Sequence, residues 1–230
     1  MEMALRSSPN FGPRRDGLRP ELVVLHYTAM TTAEAALDRL CDPASEVSAH
    51  YLIAEDGRTF ALVDEAERAW HAGAGNWAGR GDVNSRSIGI ELANAGPPVF
   101  PPFPEPQMAA LERLLDGILA RWSIPPAGVV AHSDIAPGRK ADPGPKFDWR
   151  RLARNGRAAP PADQSPPGAA DWDTFATAAT AAGYTAPDGD WPAVLAAARL
   201  RWRPWATAPE PEAADVAALE ACVDRGRLPT

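Results

Sequence analysis

Lysine is nearly absent from this chain. Of its 23 basic residues only Lys140 and Lys146 are lysines, and the rest are arginines. Basic residues are also too few to balance 30 acidic ones, and the net charge of −7 argues against a grip on nucleic-acid phosphates. Cysteine is scarce as well. Cys41 and Cys222 stand far apart without metal-finger spacing, which favours two buried free thiols over a long-range disulfide. No run approaches the roughly 18 consecutive apolar residues of a bilayer helix, so no membrane-spanning segment is expected. Residues 1–13 hold arginines and prolines but no apolar h-region, so the sequence as it stands reads without a secretory signal. What the chain has in quantity is proline, 25 residues, with 18 glycines and 45% hydrophobic residues over a length of 230. That composition supports a real core, generous loops and stiff linkers, and the length allows one domain plus a small second one.

Strand signals concentrate in residues 21–150. The run 21–27 (ELVVLHY) reads as a buried strand, and 49–54 with 59–63 flank the D-G turn of a hairpin. Residues 87–93 (SIGIELA) and 128–131 (GVVA) are further strands. Between them, 32–40 opens with Thr32 and carries Glu34 in its first turn, where a negative side chain suits a helix. Over 106–122, Leu111, Leu114, Leu115, Ile118, Leu119 and Trp122 form one apolar stripe at helical spacing. Strands mixed with helices predict an α/β domain built on one central sheet. Residues 158–170 lack periodicity and carry four prolines, the mark of a semi-rigid linker. Beyond it, 172–182, 191–202 and 211–225 read as three alanine-rich helices, a module holding neither histidine nor lysine. The organisation expected is therefore an α/β domain over 1–157, a linker over 158–170 and a helical domain over 171–230.

Every histidine lies in the first part: His26, His50, His71 and His132. His26 and His132 each close an apolar strand, where α/β proteins tend to place ligands, and Asp142 follows ten residues after His132. Two imidazoles and a carboxylate suit a catalytic zinc ion and leave a position for water. Spacing alone equally suits hydrogen-bonded structural histidines. The alternation around Ser48–Ile53 puts His50 on a half-buried face, in a packing or supporting role rather than a ligating one.

Five strings taken together narrow these alternatives: Val24-Leu25-His26-Tyr27-Thr28-Ala29, Val47-Ser48-Ala49-His50-Tyr51-Leu52-Ile53, Ala69-Trp70-His71-Ala72-Gly73, Ser87-Ile88-Gly89-Ile90-Glu91-Leu92 and Ala131-His132-Ser133-Asp134-Ile135-Ala136-Pro137-Gly138-Arg139-Lys140. In this order they resemble the zinc-dependent N-acetylmuramoyl-L-alanine amidases, relatives of the peptidoglycan recognition proteins, over about residues 20–150. The linker and helices add a resemblance to bacterial amidases with a C-terminal peptidoglycan-binding-like module. The resemblance implies a central mixed sheet flanked by helices, Zn²⁺ on His26, His132 and Asp142, and Glu91 as the general base. In the strand 87–93 Glu91 alternates with Ile88, Ile90 and Leu92, which turns it away from the apolar face; the structural alternative is a salt bridge to an arginine such as Arg86. Lys140 is singled out independently, because a lysine two residues before a candidate ligand in an arginine-rich chain suits an oxyanion beside a metal. Lys146 reads as an exposed loop lysine.

Tyr27, Thr28, His71, Asn76, Trp77 and Arg80 fall in matching segments and are expected to line a groove for a muramyl peptide. The expected activity is hydrolysis of the amide between N-acetylmuramic acid, or its anhydro form, and L-alanine, by a monomer acting on peptidoglycan or muropeptides. The alternative is a protein of the same fold that binds peptidoglycan without cutting it. The missing signal favours a cytoplasmic recycling role, whereas the C-terminal module resembles that of envelope relatives.

Overall fold

The alternation and apolar runs of the first half build strands that pair in register. The computed structural model describes residues 3–163 and 165–225. Its contacts divide the chain into two units, one formed by residues up to Gly73 with Asp82–Ile124, the other by Ala74–Gly81 with the residues from Pro125 onward.

In the first unit the strands are β1 (Met3–Leu5), β2 (Phe11–Pro13), β3 (Leu22–Tyr27), β4 (Tyr51–Ile53), β5 (Thr59–Ala61), β6 (Glu67–Ala69) and β7 (Ser87–Leu92), with helices α1 (Ala33–Cys41), α2 (Val83–Arg86) and α3 (Glu105–Trp122). Strands β1, β5, β4, β7 and β3 are neighbours in that order. The pairing is mixed: β3 and β4 both run parallel to β7, while β4 and β5 form the antiparallel hairpin that the D-G turn announced. Gly57 in that turn has φ +86°, and a Cβ there would lie 2.7 Å from the Pro106 carbonyl oxygen, so the position requires glycine. A short antiparallel ribbon joins β2 to β6.

Helix α1 is capped by Thr32 Oγ1, which accepts from the Ala35 amide at 3.1 Å. It buries Ala33, Ala36, Leu37 and Leu40 against Leu52, Ala54, Leu62 and Ala93. Helix α3 buries Leu111, Leu114, Leu115 and Ile118 of the expected stripe, while Leu119 and Trp122 at its C-terminal end are only half-buried. Gln107 on α3 donates to the carbonyls of Ile53 and Ala93 at 2.9 and 3.0 Å, tying the helix to residues at the ends of β4 and β7.

The second unit contains β8 (Val129–Ala131), α4 (His132–Ile135), α5 (Trp149–Arg154), α6 (Trp172–Ala181), α7 (Trp191–Trp202) and α8 (Ala213–Arg225). Helices α6 and α7 start where Asp171 and Asp190 accept from the amides of Thr174 and Ala193. Asp215 of α8 takes bonds from Arg199 and Arg203 on the α7 side. Ala158 and Ala159, at the start of the proline-rich stretch, are buried.

Both cysteines are free thiols, and here one expectation needs correction: Cys222 is buried, but Cys41 is only partly so, because it closes α1 at the unit's surface. Strands β1, β2 and β6 and helices α2, α4 and α5 were not anticipated; three to six residues are too few to carry a period. Among the described residues no helix is long and apolar enough to cross a membrane.

Candidate metal centre and active site

Register decides which side chains of β3 and β7 meet. His26 on β3 is paired directly with Glu91 on β7. Partners on adjacent strands project from the same face, so an imidazole and a carboxylate emerge side by side. His26 is 2% exposed, while Glu91 is half-buried. Arg86, considered above as a salt-bridge partner for Glu91, instead pairs with Glu21 at 2.6 Å.

Two further histidines adjoin in series, His71 against His26 and His50 against His71. His71 Nδ1 is 3.0 Å from His26 Nε2, and His71 Nε2 is 3.2 Å from Ser87 Oγ. The ring lies across Gly89, where a Cβ would come within 2.4 Å of His71 Cγ; this strand can carry His71 on its face only with glycine there. His50, expected on a half-buried face, is fully buried. Its Nδ1 accepts from the Gly89 amide at 3.0 Å, so its proton sits on Nε2, 3.1 Å from the Glu67 carbonyl.

Burial, helped by the nearby Arg14 guanidinium, pushes the His50 pKa down to about 4. The unfolded chain takes up this proton near pH 6.5 and the folded chain only near pH 4, so proton uptake favours unfolding. This contribution to stability is complete above about pH 6.5 and is expected to shrink by up to about 3 kcal/mol as pH falls toward 4. Urea unfolding across that window measures it, and a flat profile between about pH 6.5 and 5 would count against it.

In the second unit β8 ends directly in His132, the first residue of α4. The loop after α4 returns Asp142 to it: the Ser133 amide donates to the Asp142 carbonyl at 3.0 Å, and His132 Nδ1 lies 2.9 Å from Asp142 Oδ2. Both side chains are buried. Lys140 stands exposed in the same loop, its amide bonded to the Ala136 carbonyl. Asp134, which sequence reasoning passed over, fastens the start of α4 by accepting from the Ala131 amide at 2.9 Å.

One ligand atom from each of His26, His132 and Asp142 lies within 4.8 Å of the other two. Two imidazole nitrogens and a carboxylate oxygen, all buried, form a donor set that fits a divalent metal ion.

The expected groove residues divide. Tyr27 and Thr28 are half-exposed at the end of β3, Tyr27 against Phe100 and Thr28 donating to the Asn94 carbonyl at 3.2 Å. Arg80 is exposed, and Asn76 accepts from the Thr185 hydroxyl at 2.8 Å. Trp77 and His71 need correction as lining residues. Trp77 is 3% exposed, its ring against Tyr184 and over Gly183, and His71 is enclosed behind His26. A glycine-rich string reads as open loop, but residues distant in sequence cover these two rings. The clue to His71 was Gly89, alternating with Glu91 on the same face of β7.

Comparison with known proteins identifies the family and the fold. The Amidase_2 family model, N-acetylmuramoyl-L-alanine amidase, matches residues 16–145. The chain is 44% identical over 156 residues to N-acetylmuramoyl-L-alanine amidase AmiD of Escherichia coli (strain K12), covering 62% of this chain and 55% of that protein. The match thus spans just over half of that relative's length. It is 35% identical over 162 residues to 1,6-anhydro-N-acetylmuramyl-L-alanine amidase AmpD of Salmonella typhimurium (strain SL1344), covering 63% of this chain and 85% of that one. Among solved structures, E. coli AmiD in complex with the substrate anhydro-N-acetylmuramic acid-L-Ala-D-gamma-Glu-L-Lys has a TM-score of 0.82 at 34% identity over 91% of both chains. AmpDh3 from Pseudomonas aeruginosa has a TM-score of 0.79 at 33% identity over 95% of both. Since the family model takes in more than half of its residues, this chain belongs to the N-acetylmuramoyl-L-alanine amidases, hydrolases that cut an amide bond.

Proposed function

We propose that the chain hydrolyses the amide between N-acetylmuramic acid, or its 1,6-anhydro form, and the L-alanine of a peptidoglycan stem peptide, with zinc held by His26, His132 and Asp142. The observation that carries this is the meeting of three buried donors, one of them register-paired with a carboxylate. When bound, zinc supplies Lewis acidity, polarising a carbonyl and bringing the pKa of water toward about 7.

The chain's own residues do the rest. Glu91, beside His26, takes the proton of the attacking water and returns it to the leaving amine. Lys140, exposed on the loop that carries Asp142, brings an ammonium to the oxygen that gains negative charge. Tyr27 and Thr28 flank the end of β3, and Arg80 offers a guanidinium to a peptide carboxylate. We assign catalysis to residues 1–157, a linker to 158–170 and a helical domain to 171–230. Tyr184 and Arg201, both bonded to Asp134, support a role for that last part in holding the turn that carries His132. A protein that only binds peptidoglycan has no need of Glu91 and Lys140 beside a metal donor set.

Purified protein is expected to carry about one zinc per chain. Chelation is expected to stop release of stem peptides from anhydro-muropeptides, and added zinc to restore it. Mass spectrometry of the products on anhydro-muropeptides and on intact wall tests both substrates. Protein that holds no metal and frees no peptide from either would be a binder.

A further inference from the structure

We infer that His71 is a positioning residue: the bonded series from Val83 through Ser87 and His71 places the proton of His26 on Nε2 and so makes Nδ1 the nitrogen that His26 offers to metal. This rests on His26 being a metal ligand, as proposed above.

The direction of each bond follows from its far end. Ser87 Oγ is 2.6 Å from the Val83 carbonyl oxygen, which can only accept, so the hydroxyl donates there. The same oxygen then accepts from His71 Nε2 at 3.2 Å, which puts the His71 proton on Nε2. With one proton on its ring, His71 carries its lone pair on Nδ1, 3.0 Å from His26 Nε2. His26 therefore donates through Nε2, and its own lone pair sits on Nδ1. A ligating histidine whose second nitrogen donates to a fixed acceptor has its ring oriented and its basicity raised.

His71 is built to be that fixed acceptor. Its amide and that of Ala72 both donate to Asn84 Oδ1, at 3.0 and 2.8 Å. Its ring meets those of His26 and His50 edge-on, at centroid distances of 5.1 and 5.8 Å. The bare face of Gly89 lies beneath it. At 9% exposure it stands behind the ligand rather than in front of it.

The test uses the full chain and zinc alone. In metal-free protein at about pH 8, ring nitrogen–proton correlation spectra are expected to show His26 and His71 both protonated on Nε2. His71→Phe, which keeps a ring but loses the acceptor, is expected to weaken zinc binding by about 10–100-fold in competition with a chromogenic chelator. His71→Asn, whose amide oxygen can stand where Nδ1 stands, is expected to recover most of that loss. A His26 ring protonated on Nδ1 overturns the inference, whatever the variants do. So does zinc affinity in folded His71→Phe within about twofold of the parent. A parent chain that does not bind zinc overturns the proposed function instead, and the spectra still report the two tautomers.

Discussion

Glu91→Gln is expected to keep its zinc and its KM and to lower kcat by about 10²–10⁴-fold, the usual share of a general acid–base group. Glutamine has the shape and polarity of glutamate, so β7 and its pairing with β3 should persist, but an amide cannot take a proton from water at neutral pH. The size of the effect follows from position. Glu91 is paired across adjacent parallel strands with His26, so the carboxylate is held next to the donor set by the backbone itself. A salt-bridge role predicts something different, a fall in stability with activity retained. Steady-state kinetics on an anhydro-muropeptide, with metal content and urea midpoint measured on the same sample, separates the two. Near-parental kcat in metal-loaded Glu91→Gln removes Glu91 from the chemistry.

Arg201→Met is expected to destabilise the second unit by about 3–5 kcal/mol, because it strands a buried carboxylate. Asp134 is 0% exposed and accepts from the Arg201 guanidinium at 2.7 Å, the Tyr184 hydroxyl at 2.6 Å and the Ala131 amide at 2.9 Å. Burial is the largest single influence and works against charge on Arg201, but the Asp134 carboxylate together with Tyr184 and Cys222 holds the guanidinium above its usual pKa. The faces of the guanidinium are covered by Trp149 and Trp202, with centroids 4.2 and 4.4 Å away. Methionine fills much of that slot without the charge. If the cost is stranded charge, Arg201→Met with Asp134→Asn should recover a clear part of the loss in a double-mutant cycle. Equal and additive losses would mean that packing between the tryptophans, and not the ion pair, carries the effect.

Much of the architecture was legible because it is written at short range. The stripe of α3 shows at a spacing of three and four residues, the hairpin at a D-G turn, and α6 and α7 as alanine-rich stretches beyond the proline-rich linker. The candidate metal donors were legible as types in order: strand-ending histidines and a carboxylate ten residues on, in strings that resemble a known family. Other features carried no local signal. Strands of three residues have no period to detect, and the string Trp70-His71-Ala72-Gly73 reads the same whether His71 faces a ligand or packs behind one.

By itself, then, the sequence determined which residues could do chemistry, the strands β3, β7 and β8 that lead to them, and the amidase character of residues 16–145. Those follow from local periodicity, capping and ordered motifs. Only the tertiary structure decided that His71 supports His26 from behind Gly89, that Trp77 lies under Tyr184, and that Asp134 and Arg201 neutralise each other. Each depends on a partner far along the chain, and in a sheet a shift of one residue in pairing would have sent every such side chain to the opposite face.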